Sequence, residues 1–278
     1  WCSMYSQILD LEEALLVLKN SNPKVIAGGT DFYPLLKSGL CPSEFLDVSR
    51  ICGFKEISQD EQEVRLGAAA TWSDIVNSDL PTAFDALKQA ARKVGGIQIQ
   101  NAGTIAGNIC NASPAADGVP PLLALDAKVE LCSQDTGTRV LPLNEFITGV
   151  RQTVLKPDEL VSAVLIPPSP ISMGSAFEKL GSRRYLVISI TMTAANVLLG
   201  QDGRIEDVRI AVGSCSAVSQ RLYALEEDLK GKTPQDVVVK AEHLAPLSPI
   251  DDVRGSGTYR LAAVQEQIQR AVMGASRR

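Results

Sequence analysis

Residues 98–127, QIQNAGTIAGNICNASPAADGVPPLLALDA, hold only two charged side chains, Asp117 and Asp126. A disordered linker of that polarity would not be flanked by Ile97, Ile99, Ile105 and Ile109, nor run into Leu122, Leu123 and Leu125. A segment that is amide-rich, almost uncharged and anchored by aliphatic residues is built to bring backbone and small polar groups close to something. Within it, NAGTIAGN groups Gly103, Thr104, Gly107 and Asn108. A second segment in the same style, AGGTDF, follows the short strand expected at Lys24-Val25-Ile26-Ala27 and offers Gly28, Gly29 and Thr30. Paired glycines let the backbone turn tightly and aim successive N–H groups at one spot, and threonine adds a hydroxyl donor.

Neither segment is followed by the Lys-Ser/Thr of a P-loop, and neither has the GxGxxG spacing with a later acidic residue of a Rossmann turn. Either one alone reads more often as a plain turn. Together they point to a dinucleotide pyrophosphate gripped by neutral donors, since backbone amides bind phosphate without any Lys or Arg.

Around these segments the chain alternates helix and strand signals irregularly. Asp10 with Glu13 marks a helix start, and Leu11, Ala14, Leu15 and Leu18 form one apolar face that ends near Asn20-Pro23. Residues 63–72 predict a strand, 82–94 an amphipathic helix stopped by Gly95-Gly96, and 125–133 another strand. Pro167-Pro168-Ser169-Pro170 marks a domain boundary, because three prolines in four residues continue no element. Beyond it, Asp202-Gly203 predicts a β-hairpin turn, and 221–231 and 258–272 predict helices. The absence of a regular βαβ rhythm favours α+β.

The composition narrows the function classes. A net charge of −5 opposes sequence-independent nucleic-acid binding. No run of eighteen apolar residues is present, so no membrane span is expected. WCSMYSQILD lacks the features of a signal peptide, and a cytoplasmic location is expected. Six cysteines, Cys2, Cys41, Cys52, Cys110, Cys132 and Cys215, contain no CxxC pair, and the one histidine is His243. No metal or cluster site is expected on this chain; the cysteines read as reduced thiols and His243 as a loop or surface residue.

VIAGGTDFYPLLKSG and IQNAGTIAGNICNASPAADGVPPLLALDA resemble the two flavin loops of the FAD-binding medium subunit of the molybdenum hydroxylases, the xanthine dehydrogenase and aerobic carbon monoxide dehydrogenase type. The resemblance continues through LPLNEF (141–146), ELVSAVLIP (159–167), FEKLGSRR (177–184) and DDVRGSGTYR (251–260), and so covers nearly the whole chain. It implies an α+β fold: a two-subdomain FAD-binding module of the vanillyl-alcohol oxidase type, residues 1–60 and 61–168, with a small α+β C-terminal domain, residues 169–278. It also implies FAD on this chain and no acid, base or nucleophile, since the flavin carries the chemistry. Molybdopterin would lie on a large partner subunit and [2Fe–2S] clusters on a small one, in a dimer of heterotrimers that passes electrons to NAD or another acceptor.

The resemblance also assigns roles by position. Val25, Ile26, Ala27, Gly28, Gly29, Thr30, Asp31 and Phe32 would wrap the pyrophosphate through backbone amides and the Thr30 hydroxyl. Thr104, Ile105, Ala106, Gly107 and Asn108 would close on the same phosphates and the ribityl chain. Asp117 would accept hydrogen bonds from the adenosine ribose or a neighbouring group, and Val94 and Val161 would pack beside the flavin. Lys179, in F-x-K-x-x-x-R, would lie near the isoalloxazine and raise its potential by its charge. Gln100 and Ala106 depart from the family pattern, which has Arg and Gly there. Ala106 tolerates a positive φ poorly, so a slightly shifted loop is expected. Two other readings stay open: a self-contained flavoprotein oxidase or reductase tethering its flavin through Cys110, and a nucleotide-sensing module without flavin chemistry.

Overall fold

The computed structural model describes residues 4–36 and 42–277. Lys37, Ser38 and Gly39 of the first motif, with Cys2 and Cys41, lie outside the described residues. Among the described residues three larger sheets follow one another along the chain, with one two-stranded pair besides.

The first is built by β1 (Met4–Gln7), α1 (Leu11–Ser21), β2 (Lys24–Ile26), α2 (Phe32–Leu36) and β3 (Glu44–Asp47). The Asp10 carboxylate accepts the Glu13 N–H and caps α1, which buries Ala14, Leu15 and Leu18 and stops where Asn22 turns left-handed at φ 46°. β3 lies between β1 and β2 and runs parallel to both. Strands that all run the same way need return connections, and α1 makes the one from β1 to β2.

The second sheet opens with β4 (Ile57–Gln59) and β5 (Val64–Gly67). A run of helices follows: α3 (Trp72–Asn77), α4 (Asp85–Ala91), α5 (Ile97–Ala102), α6 (Ile105–Asn111) and α7 (Val119–Ala124). Then come β6 (Lys128–Ser133), β7 (Gly137–Pro142), α8 (Leu143–Phe146), the small β8 (Ile147–Gly149) and β9 (Gln152–Thr153) pair, and β10 (Glu159–Ile166). The sheet order is β4-β5-β10-β6-β7, antiparallel throughout. Every residue of the central strand β10 is buried, so ELVSAVLI is continuously apolar apart from Glu159 and Ser162 rather than alternating. Glu159 is held by Arg139 at 2.7 Å. One core joins Leu15, Leu18 and Leu46 of the first layer to Trp72, Leu122 and Val164 of the second.

The third sheet is the antiparallel meander β11 (Gly174–Leu180), β12 (Thr191–Leu199), β13 (Ile205–Gly213) and β14 (Gln220–Arg221). Gly203, at φ +76°, makes the β12–β13 turn that Asp202-Gly203 predicts. α9 (Tyr223–Leu229) and α10 (Gly257–Ala275) follow, and α10 buries Val264, Ile268, Ala271 and Val272 in a core shared with β12 and β13. The architecture is α+β, as expected.

Several local expectations change. The strand expected over 63–72 is regular only over Val64–Gly67, and the helix expected over 82–94 is a 3-10 turn at Thr82–Phe84 followed by α4. His243 is buried, not at the surface: its Nδ1 accepts the Lys240 N–H and its Nε2 lies 3.7 Å from Asp228. Among the described residues no group of three or more His, Cys, Asp or Glu is placed to hold a metal ion, and no helix is long and apolar enough to cross a membrane.

Candidate functional site

β2 ends at Ile26, and the chain turns through Ala27-Gly28-Gly29-Thr30 into α2. Gly29 takes φ +70°, and its carbonyl accepts the N–H groups of Phe32 and Tyr33 at 3.0 Å each. The Phe32 ring packs edge-on against Phe45, centroids 5.0 Å apart, which pins the turn to β3. Gly28 lies hard against the end of α5: a Cβ built there would stand 1.7 Å from the Ala102 carbonyl oxygen. A Cβ on Gly103 would meet the Thr30 hydroxyl at 3.6 Å. The two Gly-Thr segments singled out in the sequence therefore touch.

The second segment is not a loop. Thr104 caps α6, its hydroxyl accepting the Gly107 N–H at 3.0 Å. Ile105 N–H donates to Ala70, Ala106 N–H to Ala68 and Asn108 N–H to Thr104, at 3.0, 3.2 and 3.0 Å. The first-turn amides of α6 are thus already engaged within the protein, which corrects the expectation that this segment offers backbone donors as the first one does. What it presents instead are side-chain groups, the Thr104 hydroxyl and the Asn108 carboxamide. Ala106 sits in regular helix and needs no positive φ, so the expected shift at this position does not arise.

Between the two segments lies an open cleft of about 1210 Å³. All eight residues from Val25 to Phe32 line it, as do Val94, Thr104, Ala106, Gly107, Asn108 and Val161. The structure does not bring the remaining three there. Ile105 is wholly buried in the core. Asp117, expected to accept hydrogen bonds from a ribose, has both carboxylate oxygens engaged: Oδ2 by the Lys179 ammonium at 2.7 Å and Oδ1 by the Ser189 hydroxyl at 2.5 Å. Lys179 is correspondingly ion-paired and also donates to the Lys93 carbonyl at 3.2 Å. Desolvation pushes the Asp117 carboxyl above the usual carboxylate range, against the opposing pull of Lys179 and Ser189.

Other lining residues escaped sequence reasoning. Trp72 packs under Gly103 and Gly118 from α3; its place beside the Gly-Thr segment depends on its N–H bonding the Gly103 carbonyl at 3.1 Å, which no local pattern encodes. Arg151, at φ +58°, enters from beyond the second motif and its guanidinium donates to Asn111. The lining carries charges of both signs, Lys24, Arg151 and Lys156 with Asp31, Glu44 and Glu159, and apolar side chains such as Val94, Ile99 of α5 and Ile188, which precedes the third sheet's β12. Cys110 also lines it, its thiol pushed up to about 12 by burial.

The sequence profile described as the FAD binding domain in molybdopterin dehydrogenase matches residues 3–169, more than half of the chain. The chain belongs to this family of FAD-binding medium subunits of the molybdenum hydroxylases. The profile of the CO dehydrogenase flavoprotein C-terminal domain matches residues 175–275 of the same medium subunit. It is 31% identical to the nicotine 6-hydroxylase medium subunit of Paenarthrobacter nicotinovorans, over 99% of this chain and 97% of that one. It is 29% identical to the xanthine dehydrogenase FAD-binding subunit of Escherichia coli O157:H7, over 96% and 94%. Among solved structures, the carbon monoxide dehydrogenase from Hydrogenophaga pseudoflava that lacks the Mo-pyranopterin moiety superposes with a TM-score of 0.87 at 26% identity, covering 98% of this chain and 96% of that one. The medium subunit carries an FAD-binding domain.

The residues present fit that cofactor. Asn108 lines the cleft, and its Oδ1, buried beside Gly118, has no hydrogen-bond partner among the described residues, leaving an unmet polar group next to the cleft that a hydroxyl-bearing cofactor suits. The neutral donors of the first segment, the turn at Gly28-Gly29 with the Thr30 hydroxyl, suit a pyrophosphate approached by backbone.

Proposed function

We propose that this medium subunit is the electron-transfer flavoprotein of a xanthine dehydrogenase-like complex, in which FAD relays electrons from [2Fe–2S] clusters on a small subunit to NAD or another acceptor. A large molybdopterin subunit would oxidise the substrate, and the assembly would be a cytoplasmic dimer of heterotrimers. The observation that carries the reading is the contact between the two Gly-Thr segments at Gly28 and Ala102, which brings two distant parts of the chain together on one cleft.

In this reading Val25 to Phe32 hold the pyrophosphate by backbone amides and the Thr30 hydroxyl, while the Thr104 hydroxyl and Asn108 carboxamide face the ribityl hydroxyls. Val94 and Val161 supply apolar lining beside the flavin. Residues 1–60 and 61–168 act as the two halves of the FAD module, and 169–278 as the C-terminal domain that closes one end of the cleft. The protein's contribution is position, exclusion of water and electrostatics.

The test is the visible absorption spectrum of the purified protein, followed by chromatography of whatever cofactor is released on denaturation. Flavin bands with near-stoichiometric FAD are expected. A colourless protein that takes up no added FAD would refute the reading. A self-contained flavoprotein with a tethered flavin is favoured by one observation, Cys110 on the cleft wall. Burial of that thiol opposes it, because the thiolate is the nucleophile. An unchanged chain mass after denaturation is expected; an increment of one FAD would reverse the preference.

A further inference from the structure

The buried ion pair of Asp117 and Lys179 joins the FAD module to the third sheet. Asp117 precedes α7, Lys179 lies on β11, and Ser189 stands just before β12. The two charged side chains are only 9% and 7% exposed. The cluster sits immediately behind the cleft wall on three counts: Ala116, Val94 and Ile188 all line the cleft, and they are the chain neighbours of Asp117, of the Lys93 carbonyl that Lys179 binds, and of Ser189. The three lining residues in front of the cluster, Ala116, Val94 and Ile188, are all apolar, a lining suited to an aromatic ring system. A buried ion pair gives little net stability over apolar packing, since desolvation offsets the attraction; burial here works against the Asp117 charge. Lys93, its ammonium 5.5 Å from the Phe177 ring, adds a further cation, and Glu178 acts on Lys93 from β11.

We propose that Asp117, Lys179 and Ser189 form a charge-balanced latch that positions the isoalloxazine wall and sets its potential, the carboxylate offsetting the ammonium so that the cofactor faces a neutral pair and not a bare cation. The inference rests on the FAD reading above and replaces a lone lysine with a matched set as the tuning element. Two-electron reduction adds negative charge to the ring. An unbalanced cation behind the wall therefore favours reduction and an unbalanced carboxylate opposes it.

The test uses the FAD-loaded protein purified with its native partners, comparing wild type with Asp117→Asn, Lys179→Met and the double variant. FAD content and the dissociation constant for FAD are measured first, then the flavin midpoint potential by spectroelectrochemical titration. Asp117→Asn is expected to raise the potential, Lys179→Met to lower it, and the double variant to return it towards wild type. Ser189→Ala keeps both charges and removes one donor to the carboxylate; it is expected to lower the potential by less than Lys179→Met, and it serves where a charge variant fails to fold. Potentials unchanged in every variant that retains FAD, with only weakened binding, would show a purely structural clamp and overturn the proposal. Wild-type protein that binds no FAD would overturn the FAD reading itself, and the latch with it. The FAD content of wild type thus separates that failure from failure of the latch alone.

Discussion

Substituting Gly28 by alanine tests the central contact of the site directly. The added Cβ would lie 1.7 Å from the Ala102 carbonyl oxygen. A carbon–oxygen contact becomes tolerable at about 3.3 Å, so the first turn and the end of α5 must separate by roughly 1.6 Å. The obstacle is backbone on both sides, so no rotamer change relieves it. Gly28 is not in the left-handed region, and the demand is for space rather than for a glycine conformation. Overpacking of this kind costs about 1–3 kcal/mol. Where the protein yields by opening the grip, the loss appears in FAD affinity, about 5- to 150-fold at 1.4 kcal/mol per decade. Where it holds the grip and stores the strain, the apo-protein melts lower, by about 2–4 °C per kcal/mol. FAD titration by flavin fluorescence and a thermal melt of the apo-protein, read together, should sum to that range. Gly203→Ala is the control: Gly203 has φ +76° with nothing within 4 Å, so it should lose about 1 kcal/mol of stability and no affinity. A Gly28→Ala protein that melts and binds FAD like wild type would refute the close-packed grip.

Three further outcomes are expected. Thr104→Val removes the cap of α6 and should destabilise the apo-protein by about 1 kcal/mol, whereas Thr104→Ser should restore it; equal melting of the two variants would argue against the cap. Arg139 holds the Glu159 carboxyl below its ordinary value of 4.5, so the pair stabilises the fold above that pH and the contribution is lost as pH falls through the lower folded-state value. Glu159→Gln should therefore melt about 1–2 kcal/mol below wild type at neutral pH, with the gap closing below pH 4.5, and a gap independent of pH would contradict the assignment. Finally, peptide mapping after iodoacetamide treatment at neutral pH should find exposed Cys52 modified well before Cys110, whose thiol burial raises to about 12; the reverse order would mean the cleft wall is open.

Much of the fold was legible where local chemistry decides it. The Asp10 cap, the β6 strand, the Asp202-Gly203 turn and the C-terminal helix each rest on residues within one turn or one strand. The stretch 98–127 reads as anchored by aliphatic residues, which holds for Ile105, Ile109, Leu122, Leu123 and Leu125 but not for the exposed Ile97 and Ile99. It also reads as loop, although it forms three helices of six or seven residues each. The signal for α6 was present in Thr104 followed by Ile105 and Ile109 at i and i+4, masked by glycine and asparagine of low helix propensity. Asp117 and Lys179 were identifiable as paired only in three dimensions, since their contact spans two sheets. Burial of His243 likewise depends on α9 packing over it, which no nearby residue announces. The cleft residues that were missed, Trp72 and Arg151, share that cause: their positions follow from distant backbone hydrogen bonds.

The place of β10 in its sheet has a consequence for how this chain comes into being. Its partners are β5 and β6, with Ala163 opposite both Gly67 and Glu130. During synthesis, β4 and β5 emerge with one edge bare and stay so until the intervening helices and both strands of the β6–β7 hairpin have been made. Contacts of such sequence separation close slowly, and unpaired edges invite association with other chains. Any fragment ending before Ile166 lacks the strand that unites the two halves of the sheet. The last strand of the module to leave the ribosome is thus the one that locks it, and expression of shortened forms should yield aggregates, not a smaller flavoprotein.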